Sequence, residues 1–210
     1  MFDNRTDAGE RLAALLTERE IEADIVLAVP RGGLPAGRAV ADRLAVPLDI
    51  VSARKIGAPW NAELAVGAVA SDGSVWLNDA LIDQAGIDDD YIDDQRERER
   101  AAARQRVDSY RGDRPPLDLD GKRVVVVDDG IATGATMRAC LRQIAAAGAD
   151  RIVLAVPVAP PDTLEQLEAC VDELVCVEAP ADFGAVGRFY RAFDQVTDEQ
   201  ARSYLTTDDT

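Results

Sequence analysis

The stretch VVVVDDGIATGATM, residues 124–137, decides the fold of this chain. Four consecutive valines are apolar and β-branched at odd and even positions alike, which predicts a strand buried on both faces of a parallel sheet. Asp128 and Asp129 emerge at its carboxyl end, and GIATGAT leads from them directly into a helical pattern. Small residues let successive backbone amides turn inward as a concave nest, and a helix N-terminus adds partial positive charge. This loop is therefore expected to cradle a phosphate, with hydroxyl donors from Thr133 and Thr136. Two adjacent carboxylates repel phosphate. They are suited to accept hydrogen bonds from vicinal hydroxyls, or to hold Mg2+ through water. A ligand carrying both a phosphate and a diol, such as a ribose 5-phosphate, satisfies both halves.

Outward from this motif the chain alternates strand and helix. Short apolar, branched runs at residues 25–29, 48–52, 152–156 and 174–177 read as strands. Helical periodicity at 8–20, 35–44, 137–147 and 163–169 separates them, and Thr6 or Asp7 is the expected first cap. This order predicts an α/β fold with a doubly wound, mostly parallel sheet and ligands at the strands' carboxyl ends. AVGAVA and SVWL, joined at Asp72 and Gly73, read as a hairpin. Residues 88–111 carry aspartates early and arginines late, as a helix dipole favours, and predict a long, largely exposed helix. It is either an interface or a solvated arm. The proline-bearing residues 113–120 read as a connector.

Two weaker anion motifs accompany the central one. VPRGG, residues 29–33, follows the first strand and precedes a helix, so Arg31 and the amides of Gly32 and Gly33 are placed to meet a second anionic group. A purely structural turn is the alternative. Arg54 and Lys55 end the next strand, and Lys55 is one of only two lysines, the other being Lys122. A lysine retained there suits a mobile, compact charge reaching a pyrophosphate, with a solvated surface pair as the alternative. Lys122, beside Gly121, reads as a turn residue.

Composition narrows the partners. Against 23 bases stand 39 acids, a net charge of −16, and such a surface repels a nucleic-acid backbone. It suits a halophilic, concentrated-salt cytoplasm, with compositional drift toward acids as the alternative. No apolar run approaches the roughly 20 residues that cross a bilayer, and residues 1–12 lack the features of an export signal, so a cytoplasmic protein with no membrane partner is expected. Cys140, Cys170 and Cys176 lack metal-site spacing and there is no histidine, so the cysteines read as buried thiols. One domain over residues 1–210 is expected.

With these motifs in place, the chain resembles the type I phosphoribosyltransferases. It is most similar to a group of predicted phosphoribosyltransferases whose opening resembles FDNRTDAG, residues 2–9. The family signature is a hydrophobic strand, two acids and a loop of the form ATGGT or ATGAT, which residues 124–136 match throughout. The resemblance implies that Asp128 and Asp129 hold the ribose hydroxyls of 5-phosphoribosyl pyrophosphate (PRPP), and that Ala132 to Thr136 wrap its 5-phosphate. It further implies a pyrophosphate loop at Arg31, Gly32 and Gly33, often with a cis peptide, and Arg54 and Lys55 at the base of a β-hairpin lid, about residues 56–70. A small hood from about residues 1–10 and 178–210 would recognise the base, with Ile131, Phe183 and Tyr190 as candidate contacts. The aromatic residues Phe183, Phe189, Tyr190 and Phe193 otherwise pin the C-terminal segment to the core, and Asn4 and Arg5 fit either role.

Lys55, Arg31, Asp128 and Asp129 are then the expected catalytic residues, with Mg2+ bound through PRPP. The implied reaction transfers the phosphoribosyl group to a nitrogenous acceptor, a nucleobase for preference. A PRPP-sensing regulator without turnover is the alternative, and a homodimer is implied by resemblance alone. Members acting on 6-oxopurines carry an acid where this chain has Ala132, and orotate-type members have a basic loop unlike residues 57–67, so neither acceptor is favoured. Adenine- and uracil-type members share the alanine.

Overall fold

The computed structural model describes residues 1–115 and 117–206. Pro116 of the expected connector and residues 207–210 of the expected hood lie outside the described residues. In chain order the elements are α1 Arg5–Glu18, β1 Ile25–Ala28, α2 Gly33–Leu44, β2 Leu48–Ile50, β3 Ala53–Ala58, β4 Asn61–Ala70 and β5 Val75–Leu77. There follow α3 Asp79–Ala85, α4 Asp89–Arg111, β6 Arg123–Val127, α5 Ala135–Ala146, β7 Arg151–Val158, α6 Pro161–Glu168, β8 Glu173–Glu178 and α7 Asp198–Leu205.

The run of valines works as its pattern predicts. Val124 and Val126 join the cluster containing Met137, Leu141 and Ile144 of α5, while Val125 and Val127 join Leu12 and Leu16 of α1 with Leu34 and Val40 of α2. All four valines are fully buried, each contributing about 1.5–3 kcal/mol through removal from water. They make β6 the centre of a five-stranded parallel sheet of order β2-β1-β6-β7-β8, with helices on both faces. From β1 the chain winds to β2 on one side; from β6 it winds through β7 to β8 on the other. The order therefore reverses between β1 and β6, and the crevice beyond their carboxyl ends is where such sheets bind ligands. Ala28 pairs with Val127, and the Val29 amide donates to the Val127 carbonyl at 2.9 Å, so the loops leaving both strands start side by side.

The remaining strands, β3, β4 and β5, form an antiparallel sheet. Its β4–β5 turn is the hairpin expected at Asp72 and Gly73. The β3–β4 hairpin projects the exposed Pro59 and Trp60 at its tip.

Several expectations are corrected. Helix α1 begins at Arg5, and its cap is Asn4, whose Oδ1 accepts from the Asp7 amide at 3.0 Å. Neither Thr6 nor Asp7 caps it, because Asp7 lies inside the first turn and pairs with Arg11. The helix over residues 88–111 is no free arm: α4 packs on β3, β4 and α7 and buries Ile92, Ala103 and Tyr110. Cys140 is buried and Cys176 partly so, but Cys170 is exposed, lying in the turn after α6. Burial pushes the Cys176 thiol up to about 11. Among the described residues no helix is long and apolar enough to cross a membrane.

The two expected hood segments meet each other. Phe2 bridges to Tyr190 in parallel, its amide donates to the Phe189 carbonyl at 2.7 Å, and its ring lies 5.3 Å from that of Tyr190. Phe2 is fully buried. Phe2→Ala should therefore cost about 3–5 kcal/mol of stability, measured by urea unfolding. A loss within experimental error would mean that this end of the chain does not pack on the core.

Candidate functional site

The acids expected from the sequence stand at the strand-order reversal. Asp128 and Asp129 leave β6 adjacent to the loop that leaves β1, and the Pro30–Arg31 peptide in that loop is cis. A Cβ placed on Gly32 would lie 2.2 Å from Asp129 Oδ2, and one on Gly33 would lie 2.9 Å from the Asp128 Cα. Glycine at both positions allows the two loops to touch. Their meeting point brings the amides at the start of α2 and the acid pair around one crevice.

Burial pushes the Asp128 carboxyl well above the usual carboxylate range, and the neighbouring Asp129 charge adds to the shift. Burial also raises Asp129, opposed by Arg5. The Arg5 Nε donates to Asp129 Oδ2 at 2.6 Å, its Nη1 donates to the Asp194 carbonyl at 2.6 Å, and its guanidinium lies 3.7 Å from the centre of the Phe193 ring. Arg5 thus ties an acid of the crevice to both ends of the chain. Both side chains of the pair are nearly buried, so removing one partner leaves an uncompensated charge. Arg5→Met should destabilise the protein by about 3 kcal/mol at neutral pH. The loss should shrink on acidification, because a protonated Asp129 needs no partner; a pH-independent loss in thermal unfolding would contradict this origin.

The loop after the acids surrounds a hollow of about 200 Å³ lined by Asp128 and residues 130–137. Gly134 has φ +73°, a left-handed conformation suited to glycine, and it turns the chain into α5. The Ala132 carbonyl accepts from Thr163 Oγ1 at 2.7 Å and the Thr133 carbonyl from Arg138 Nη1 at 3.0 Å, which fixes the loop through its oxygens. Among the described residues no protein oxygen accepts from the amides of Ala132, Thr133 and Gly134. Ala132 and Thr133 are exposed, so these donors are within reach of an anion.

Beside this hollow lies a cleft of about 600 Å³ whose lining includes Pro30, Arg54, Lys55, Arg98, Arg106 and Thr136. Lys55 Nζ lies 3.0 Å from Glu63 Oε2 across the β3–β4 hairpin, and Arg54 Nε lies 2.9 Å from Glu99 Oε2 of α4. Arg31 lines a smaller adjoining cleft and reaches Asp198 at 3.3 Å. The structure thus brings Arg54, Lys55 and Thr136 into one cleft, with Arg31 beside it.

The candidate base contacts are placed differently. Ile131, Phe183 and Tyr190 are all buried. Phe183 and Tyr190 belong to the cluster containing Phe2 and Val158, and the Tyr190 hydroxyl donates to the Asp129 carbonyl. Their ring faces are taken up by Phe189, Phe2 and Phe193, so in this structure they pin the C-terminal segment rather than offer a surface for stacking. Sequence reading also passed over α4 as a source of site residues. Gln95, Arg98, Glu99, Ala102 and Arg106 recur at helical spacing and face the clefts, a signal hidden by the general density of charge.

A parallel sheet with an acid pair, a loop of unpaired amides and basic walls at its strand-order reversal defines an α/β protein whose open crevice lies where sheets of this kind bind ligands. The chain belongs to the family described as the phosphoribosyl transferase domain, which it matches over residues 2–193. It is 40% identical over 205 residues to a Mycobacterium tuberculosis protein that carries the provisional name phosphoribosyl transferase, covering 98% of this chain and 46% of that protein. The chain thus spans about half the length of the curated relatives it matches. It is also similar to a solved structure from Thermus thermophilus, the protein TT1426, with 42% identity, a TM-score of 0.83, and coverage of 98% of this chain and 97% of that one.

Proposed function

We propose that this chain binds PRPP in the crevice between β1 and β6 and transfers its phosphoribosyl group to a nitrogenous acceptor, releasing pyrophosphate. The observation that carries the reading is the contact of the Gly32 loop with Asp129, which gathers two anion-binding loops and a diol-binding acid pair around one point. Residues 132–136 would take the 5-phosphate, Asp128 and Asp129 the ribose hydroxyls, and Arg31, Gly32, Gly33, Arg54 and Lys55 the pyrophosphate.

In the transfer the C1–O bond to pyrophosphate breaks and its electron pair departs with the leaving group. The acceptor nitrogen bonds to C1 and gives up its proton to solvent. Positive charge develops on the ribose and negative charge on pyrophosphate, so fixed charges act most strongly. The acid pair stabilises the ribose cation; Arg31, Arg54 and Lys55 stabilise the departing anion; closure of the β3–β4 hairpin excludes water. Mg2+ bound through PRPP would further neutralise the leaving group. The protein offers no cage for it, since no group of three or more candidate ligands occurs among the described residues. Two carboxylates beside phosphate oxygens nonetheless suit an ion that keeps much of its water.

Lys55→Met should lower kcat/KM by about ten- to a hundredfold, as for loss of one charge-assisted contact. Folding stability should hardly change, because the exposed Glu63 partner makes a weak pair. A variant with unchanged kcat/KM would remove Lys55 from the mechanism. The reaction itself is tested in high salt with Mg2+, labelled PRPP and a panel of nucleobases. Acceptor-dependent pyrophosphate release supports transfer, whereas tight PRPP binding with no turnover on any acceptor would point to a PRPP sensor.

A further inference from the structure

We propose that Arg138 is a positioning residue for the 5-phosphate. From behind the loop at residues 132–136 it aims the Gly134 amide into the hollow, and its fixed charge makes the loop select a doubly charged phosphate over a singly charged anion. The inference deepens the PRPP reading and rests on it for the identity of the ligand.

Arg138 is the fourth residue of α5 and is buried, yet it does not line the hollow that Asp128 and residues 130–137 enclose. Its Nη1 donates to the Thr133 carbonyl at 3.0 Å and its Nη2 to Gln166 Oε1 of α6 at 2.6 Å. A Cβ placed on Gly134 would lie 3.1 Å from the same Nη1, so the guanidinium rests against the peptide that joins Thr133 to Gly134. That peptide is trans, and the carbonyl and amide of a trans peptide point in opposite directions. Holding the Thr133 carbonyl therefore turns the Gly134 amide the other way, toward the hollow. Among the described residues that amide has no protein acceptor.

The charge is as unusual as the position. A cation near a helix N-terminus opposes the helix dipole, and a buried arginine ordinarily has an acid beside it. The chain has 39 acids, yet among the described residues the partners of the Arg138 guanidinium are the Thr133 carbonyl, the Gln166 amide and the face of Trp76, 4.9 Å away. Burial holds its pKa below the ordinary arginine value, Cys170 opposes this, and the charge of Arg142 adds to it. Arginine stays protonated all the same, so the protein keeps a buried cation without a counter-charge. An anion in the hollow, across one peptide, supplies that counter-charge. The attraction grows with the anion's charge, and a phosphate monoester above its second ionisation, near about pH 6, carries roughly two.

The test compares ribose 5-phosphate with ribose 5-sulfate, an analogue of the same shape whose sulfate is singly charged. Each is titrated calorimetrically into the intact protein at about pH 8 and fixed ionic strength. The parent should prefer the phosphate. Arg138→Gln and Arg138→Met, which remove the charge, should each lower that preference by about tenfold, and Arg138→Lys should restore most of it. Arg138→Met puts an apolar chain where a buried charge stood, a change that folded proteins commonly tolerate, so at least one charge-free variant remains measurable. A merely structural role weakens both ligands alike and leaves their ratio where it was. An unchanged ratio in either charge-free variant with its melting temperature preserved, or a parent that does not distinguish the two ligands, would overturn the proposal while leaving the PRPP reading in place. Binding of neither ligand by the folded parent would count against the PRPP reading itself and remove this inference with it.

Discussion

Asp128→Asn should raise the melting temperature of the unliganded protein while weakening PRPP binding by about ten- to a hundredfold. Both effects have one cause. Asp128 is held in a poorly solvated site beside a second carboxylate, which pushes its pKa above the unfolded value of 3.8. A carboxyl raised in this way binds its proton more tightly in the folded state, so the folded protein loses stability as pH rises through the folded pKa. At neutral pH, above the unfolded value, keeping this carboxyl in its site is a cost in either protonation state, and asparagine removes it. The substituted amide keeps an oxygen where Asp128 Oδ1 now accepts from the Asp129 amide at 2.8 Å, so the local backbone has no reason to move. The expected gain is roughly 2–4 °C for each kcal/mol recovered at this chain length. Parent stability should decline with rising pH more steeply than that of the variant. A lower melting temperature in Asp128→Asn, or undiminished PRPP binding, would show that the carboxylate is structural.

Gly32→Ala should abolish most PRPP binding, by about a hundredfold, and cost about 1–3 kcal/mol in stability. The backbone is not the obstacle: Gly32 has φ −60° and ψ −38°, which alanine adopts freely. The obstacle is Asp129, whose Oδ2 and Cγ would lie 2.2 and 2.7 Å from the new Cβ. Asp129 cannot swing aside cheaply, because Arg5 holds it and Arg5 is itself held by the Asp194 carbonyl and stacked on Phe193. The methyl group therefore pushes apart the two loops that must act together. Calorimetric titration with PRPP and urea unfolding measure the two losses; normal binding by this variant would mean that the loops need not touch.

The sheet was legible because its strands are buried on both faces, so β1, β6 and β7 appear as continuous apolar runs. The turn at residues 130–134 from β6 into α5 was equally legible, since small residues between a buried strand and a helical pattern mark such a turn. Helix α3 escaped notice because it has seven residues and buries only Ile82, and α7 because it buries just Ala201 and Leu205 of its eight. The partnership of Arg5 with Asp129 spans 124 positions and leaves no local pattern; only the fold makes it visible. The aromatic residues near the C-terminus show the reverse difficulty. Phe183 and Tyr190 have the chemistry of a base-stacking surface, but their positions on a segment that pairs with Phe2 direct them inward.

The acidity of the surface also bears on how the protein is handled. Binding of a polyanion to a chain of net charge −16 is opposed at long range by repulsion that salt screens, so PRPP affinity is best measured in concentrated salt.

Equilibrium binding of PRPP with Mg2+ to the intact parent chain, beside the double variant Asp128→Asn with Asp129→Asn, tests the central claim most directly. Saturable binding at one site by the parent and its loss in a double variant that still folds is the predicted result. Absence of PRPP binding to the folded parent, or equal binding by both proteins, would contradict the claim.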